Sequence, residues 1–248
     1  MIKRYIGLVA VSFACYSMGG TTAYSHALQT SLYGGISRTH IDPGPLHISE
    51  SETDILHSDN DSEGTIGIGL GWQFNLLNQN NTHGLLGGFI AGLNYFHFSA
   101  EPGGEVWLYG MPQFVNYDYQ FSLDTDRLLV NGQMELFPAL QVIQPYVEAG
   151  VGYAHIRSQY CELPTLGSGA TDGNLIFPRR SDNQWVYTLG AGVKTQLSPQ
   201  WTLSLAYNFT DFGTIHAGPY DSDVVIQQPL DIAMKLHTAL LGITYQWA

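Results

Sequence analysis

Charge is scarce in this chain: 12% of its 248 residues are Asp, Glu, Lys or Arg, about half the share of an ordinary soluble domain. So little charge cannot coat a fully hydrated surface, and part of the molecule is expected to face something other than water. Cations are scarcer still, with 9 Lys and Arg against 21 Asp and Glu and a formal net charge of -12. Binding a nucleic acid by counterion release needs clustered cations, so nucleic acid is not expected as a partner. Cysteine is nearly absent. Only Cys161 lies beyond the N-terminal apolar run that holds Cys15, so no intramolecular disulfide is expected once that run is removed. No later stretch supplies the 18 or more apolar residues of a transmembrane helix.

What is present begins with the layout of an export signal. Lys3 and Arg4 precede an apolar run at 6–14, and small residues then lead to Ser25-His26-Ala27 or Thr21-Thr22-Ala23. Cleavage is expected after Ala27, with Ala23 the alternative, giving a signal peptide at 1–27 and one domain at 28–248. Ser12-Phe13-Ala14-Cys15 is a poor lipoprotein site, because Ser12 stands where an aliphatic residue is usual.

Beyond the signal, apolar residues recur with period two, the signature of strands with two different faces. Ile66, Ile68, Leu70, Trp72 and Phe74 alternate with Gly67, Gly69, Gly71 and Gln73, and the rhythm returns near 85–95, 145–154, 185–194, 201–209 and 239–247. Weaker strands at 30–39 and 114–136 bring the count to eight. The second should carry a bulge near Asp124 to Asp126, where apolar parity switches from Tyr117, Tyr119 and Phe121 to Leu128, Val130 and Met134. Connections alternate between long (40–64, 99–115, 156–184, 213–235) and short (75–84, 137–144, 197–200). An even strand count with alternating long and short connections is the pattern of a transmembrane barrel of the bacterial outer membrane. The expected fold is all-β: an eight-stranded antiparallel up-and-down barrel with four long extracellular loops. Its larger apolar face lacks charge. Trp72, Trp201 and Trp247 are placed in a periplasmic aromatic girdle, and Trp185 with Tyr95, Tyr153 and Tyr207 in an outer one, with Tyr245 also a girdle residue. The other face is small and polar, unlike the apolar interior of a lipocalin-type soluble barrel.

The strings PYVEAGVGYA at 145–154 and LGAGVKTQLSPQWTLSLAY at 189–207, followed by Asp211-Phe212-Gly213, resemble the OmpA-type and opacity-protein-like outer-membrane barrels. Residues 239–247 resemble the closing strand of those families. The resemblance implies a bacterial outer-membrane location, contact with outer-membrane lipid and lipopolysaccharide, and assembly by the barrel-assembly machinery. The chain departs from the family in ending on Ala248 after the usual terminal aromatic, and it ends at the eighth strand. The peptidoglycan-binding domain of some members is therefore not expected.

Glu135, Glu148 and Lys194 have inward parity on nearby strands, and a charge in a narrow lumen is costly unless paired. Lys194 with Glu148 or Glu135 is the expected lumen ion pair, similar to the interior charge networks of OmpA-like barrels. Asp42, Glu50, Glu52, Asp54, Asp59, Asp61 and Glu63 form an acidic first loop with no Lys or Arg between His40 and Gly64, expected to project as a solvated surface feature. Asp59-Asn60-Asp61 opens like an EF-hand loop, but its twelfth position is Leu70. No metal or cofactor is expected. The nine histidines show no H-E-x-x-H or other tight spacing. His155 or His216 could stand at the outer rim as in barrel enzymes that modify lipid A, but neither lies in a matching motif, so no enzyme activity is expected. Arg179-Arg180 reads as a solvated turn that could meet lipopolysaccharide phosphates. An eight-stranded barrel encloses room only for its own side chains. The expected function is therefore surface display, with extracellular loops that meet a host or bacterial ligand; the alternative is a small-solute or ion channel.

Overall fold

The structure, a computed structural model, describes residues 27–47, 53–58, 61–75, 86–137, 142–165, 175–218 and 229–247. The region expected to hold the signal peptide, through residue 26, lies outside them, as do Glu50, Glu52 and Asp59. The strands in chain order are β1 (Ala27–Pro43), β2 (Leu46–His47), β3 (Thr53–Ser58), β4 (Asp61–Asn75), β5 (Leu86–Ala100), β6 (Gly103–Trp107), β7 (Val115–Leu136), β8 (Gln144–Pro164), β9 (Ile176–Gln196), β10 (Trp201–Ala217) and β11 (Leu230–Gln246). A 3-10 turn, Leu108–Gly110, follows β6. Eight strands, β1, β4, β5, β7, β8, β9, β10 and β11, close a ring of antiparallel neighbours, because β1 pairs with both β4 and β11. Closure removes every edge from the ring, which a lipid-facing sheet requires. The short strands β3 and β6 extend the outer part of β7 sideways.

Strand length gives the barrel two storeys. β7 has 22 residues and β8 and β9 have 21 each, about twice the 9–11 that cross a bilayer. In the lower storey apolar side chains point outward: Ile66, Leu93, Leu128, Val130, Val151, Leu189, Leu205 and Leu241 are all exposed. In the upper storey the sense inverts. Phe98, Phe121, Tyr160, Phe177, Phe212, Ile215, Ile232 and Met234 are fully buried inside the ring.

This inversion corrects two sequence expectations. The bulge near Asp124 to Asp126 is not there: β7 pairs with β8 in unbroken register from Tyr117↔Pro164 to Glu135↔Tyr146. Tyr119 and Phe121 face the upper core while Leu128 and Val130 face lipid. Apolar parity changes because the solvent changes sides, with no inserted residue. Register shifts fall instead at Leu86/Phe89, Val106/Trp107, Ser158/Tyr160 and Asp211/Gly213, the last where Gly213 takes φ +68°. Likewise, strands reach well into the spans expected as long loops. β8 runs to Pro164 and β9 starts at Ile176 within the expected 156–184 loop, because inward residues such as Ile156, Tyr160 and Phe177 still have a core to fill.

Candidate functional site

The lower lumen is a polar cavity of about 210 Å³ whose lining includes Gln29, Asn94, Asn131, Tyr146, Glu148 and Lys194. Lys194 donates to Glu135, and Glu135 also accepts the Gly88 N–H (3.1 Å) and Gln144 Nε2 (3.4 Å). Both side chains are largely buried, so each needs the other to offset its lost hydration. Glu148 stands apart from this pair and is hydrogen-bonded to Asn208.

At the floor of the upper core lies a group that the sequence reading missed. Arg127 is buried, donates to Thr210 Oγ1 at 2.8 Å, and holds its guanidinium 4.9 Å from the Phe96 ring centre and 5.9 Å from that of Phe212. Contacts of this kind stabilise a desolvated cation. A lone Arg of inward parity, flanked on its strand by Thr125 and Leu129, was the available signal.

The expected girdle residues sit at the two rims of the apolar belt. Trp72, Trp201 and Trp247 are exposed, and Tyr245 packs edge-on against Trp201 (5.0 Å) and Trp247 (4.9 Å). At the outer rim Trp185 meets Tyr153 at 5.9 Å. There, tyrosine hydroxyls tie the belt to a polar ring just above it. Tyr95 donates to Asp126 (2.6 Å), Tyr187 donates to Asp211 (2.9 Å), and Tyr207 shares a hydrogen bond with His237 Nδ1 (2.6 Å). In the same ring His155 pairs with Asn183, and higher up His216 pairs with Asp231. His97, Asp124 and Asp126 bring ligand-type atoms within 4.8 Å of one another, but the Arg157 guanidinium lies 3.0 Å from both aspartates. Arg179 also reaches Asp124, at 3.3 Å. Arginine thus supplies the positive charge in that cluster.

The seven acids expected as one surface loop are divided by the structure. Asp42 in β1 and Glu63 in β4 are exposed. Asp61 accepts the N–H groups of Ser62 (2.7 Å) and Glu101 (2.9 Å), pinning β4 to the end of β5. Asp54 is a correction: it is only 3% exposed, and its Oδ1 accepts the Tyr109 N–H at 2.9 Å. The physical reason is the alternation of β3, which turns Asp54 and Leu56 inward and Ile55 outward. Nearby, Tyr160 donates to Glu162 Oε1 at 2.6 Å. Burial pushes the Glu162 carboxyl up to about 7; the Tyr160 hydrogen bond opposes that rise, and the charge of Asp54 adds to it.

The tether from Asp54 fixes an unusual turn. Tyr109 sits at φ 54°, ψ 23°, a left-handed conformation costly for a residue with a side chain. Its ring is exposed, as are Ile55, Met111 and Phe114 around the same turn. Hydrogen bonds from Leu108 N to Phe114 O, Met111 N to Leu108 O and Phe114 N to Met111 O close the turn on itself. Counting along β7 from Asp126 to Val115 at strand rise and barrel tilt, this apolar tip stands on the order of 25 Å above the belt.

A closed antiparallel ring with an uncharged apolar belt, aromatic rims and a polar lower lumen is a transmembrane β-barrel of the bacterial outer membrane. The chain belongs to the outer membrane protein beta-barrel domain family, whose sequence profile matches residues 11–246. It is 26% identical to the outer membrane protein PagN of Salmonella typhimurium over 148 residues, 59% of each chain. That match therefore spans less than two thirds of the relative's length. Among solved structures, the outer membrane protein OprG of Pseudomonas aeruginosa superposes with a TM-score of 0.42 at 15% identity, covering 88% of this chain and 95% of that one. The outer membrane protease OmpT of Escherichia coli gives 0.47 at 9% identity, covering 92% and 99%.

Proposed function

We propose that this protein is a non-catalytic surface-display barrel whose outer storey presents a binding surface to a ligand on a host or bacterial cell. The observation that carries this reading is the exposed apolar tip, Ile55, Tyr109, Met111 and Phe114, held rigidly by the Asp54 tether far above the lipid belt. Exposed apolar clusters on an otherwise polar surface mark interaction sites, and a strained backbone at such a cluster suggests that its geometry has a use. The apolar core of the upper storey, with Phe98, Phe121, Tyr160 and Phe212 buried inside the ring, supports display over conduction. On this reading the chain is exported by removal of its signal and inserted by the barrel-assembly machinery. Cleavage after Ala23 leaves β1 whole, and cleavage after Ala27 shortens it by one residue.

The test is adhesion by bacteria expressing the protein, comparing the native chain with a Tyr109→Ser, Met111→Ser, Phe114→Ser variant. Folding is checked by the shift in gel mobility on boiling. Loss of adhesion with the shift retained is the expected result. Undiminished adhesion by the folded variant would remove the support for the tip as the binding surface.

A further inference from the structure

The lining of the lower cavity includes two carboxylates, Glu135 and Glu148, but one cation, Lys194. Lys194 is committed to Glu135, near the lower strand ends. Arg127, also inside the ring, lies higher, bonded to Thr210 between the Phe96 and Phe212 rings. Glu148 therefore has no ion-pair partner among the described residues. Its hydrogen bond comes from Asn208, which can donate only through its amide nitrogen. A carboxylate in a narrow lumen without a counter-charge is costly.

Register gathers further acceptors around that carboxylate. Glu148 is opposite Gly190, and Gly190 is opposite Asn208, so the strand between them carries no side chain at that row. The two meet over it: a Cβ at Gly190 would stand 2.1 Å from Asn208 Oδ1 and 2.9 Å from Glu148 Cγ. One inward row higher, Asn131 is opposite Gly150, where an added Cβ would lie 3.1 Å from Asn131 Cβ. Asn208 is only 7% exposed. With its nitrogen given to Glu148, its Oδ1 has no partner among the described residues, and neither has Asn131 Oδ1. Turning the Asn208 amide over would set its oxygen against the carboxylate. Glu148, Asn131 and Asn208 all line the one cavity of about 210 Å³.

One negative charge beside two neutral acceptors complements a primary ammonium group, which brings one positive charge and three N–H donors. A hard divalent cation would call for about six or more oxygens and usually more carboxylates. The cavity is far larger than the roughly 10–15 Å³ that one water needs, so a short chain fits behind the ammonium. It runs down to the amide side chains of Gln29, Gln73, Gln144, Gln196 and Gln246 at the lower ends of their strands, while the apolar core lies above. Entry is therefore from the periplasmic end. We propose that Glu148, Asn208 and Asn131 bind the ammonium group of a small linear primary amine entering the lower lumen from the periplasm. Glu148 supplies the counter-charge, and the two asparagine oxygens accept the remaining N–H groups.

The test uses the full-length barrel, labelled with nitrogen-15 and folded in zwitterionic detergent micelles. It is titrated with n-butylammonium chloride while the side-chain amide signals of Asn131 and Asn208 are followed by NMR. Both signals should move saturably. Tetramethylammonium chloride, which carries the charge without an N–H, and potassium chloride should leave them in place at the same concentrations. A hydrogen bond to a charged group is worth about tenfold or more in affinity, so Glu148→Gln should weaken butylammonium binding by at least that factor. Glu148→Asp, which keeps the charge, should bind more tightly than the Gln variant. Asn131→Ala, which leaves the bond between Asn208 and Glu148 alone, should weaken binding about fivefold, read on the Asn208 signal. Folding of each variant is checked by the mobility shift on boiling, and the Asn131 variant decides if the Gln variant does not fold. No saturable movement in the native chain, or equal movement with tetramethylammonium or potassium, would overturn the proposal. So would undiminished binding by the folded Gln or Asn131 variant.

Discussion

Glu162 is the residue whose chemistry most directly ties the outer storey to its surroundings. Burial holds its carboxyl at about 7, with Tyr160 donating to it and Asp54 nearby. A carboxyl raised in the folded state binds more protons folded than unfolded between its ordinary value of 4.5 and about 7. In that window stability falls as pH rises. Its contribution is fully present below about pH 4.5 and gone above pH 7, and the size of the rise corresponds to roughly 3 kcal/mol. Limited proteolysis of the folded barrel should therefore cut the upper storey faster at pH 8 than at pH 5, and Glu162→Gln should flatten most of that difference. An unchanged pH profile in the Gln variant would show that Glu162 is not the titrating group. Tyr109 is the second residue at this scale. Tyr109→Gly relieves its left-handed backbone and should make the turn up to about 1 kcal/mol more stable, measured as slower cleavage in the same assay. Removal of the ring should at the same time lower adhesion, separating the turn's stability from its use.

Among the elements, β7 and its neighbour β8 approach each other closely at Gly152. A Cβ at Gly152 would stand 2.0 Å from the Leu128 carbonyl oxygen and 2.7 Å from Leu129 Cα, both backbone atoms of β7. Neither can move without breaking the ladder. Gly152→Val should therefore abolish the mobility shift on boiling, whereas Gly34→Ala, whose added Cβ meets nothing within 4 Å, should leave it intact. A folded Gly152→Val barrel would show that this pairing is looser than the register implies. β7 also shows what the sequence could reveal. The lower storey was legible because lipid outside and polar groups inside impose strict alternation, as in Ile66 to Phe74. The upper storey was not, because its apolar residues lie on the opposite parity, and a strand that inverts its faces looks in sequence like a broken one. Asp54 was misplaced for a related reason: a run of acids reports charge and says nothing about which way each side chain points. Lys194 and Glu135 could be brought together from parity alone, but Arg127 had no partner residue in the sequence to mark it.

Taken whole, the molecule is a stack of two differently filled cylinders, and where it is sealed follows from which filling excludes water. The lower lumen is polar and holds a cavity of about 210 Å³, which water can occupy. The upper storey is packed with Phe98, Phe121, Tyr160, Phe212 and Met234 down to the Arg127 floor. A lining this apolar disfavours water. The Lys194–Glu135 pair lies in the polar part, so on the display reading it stabilises the barrel and the seal lies above it. In planar bilayers the native protein should show no steady conductance. Lys194→Ala should remain equally silent while unfolding more readily, by about 3–5 kcal/mol, because it strands the buried Glu135 charge. Phe98→Ser with Phe212→Ser, which puts hydroxyls beside Arg127 where two rings now pack 6.1 Å apart, should admit water and produce brief openings. Steady current through Lys194→Ala alone would place the seal at the ion pair. Current through the native chain would show that the upper core is not closed and would move the channel reading ahead of display.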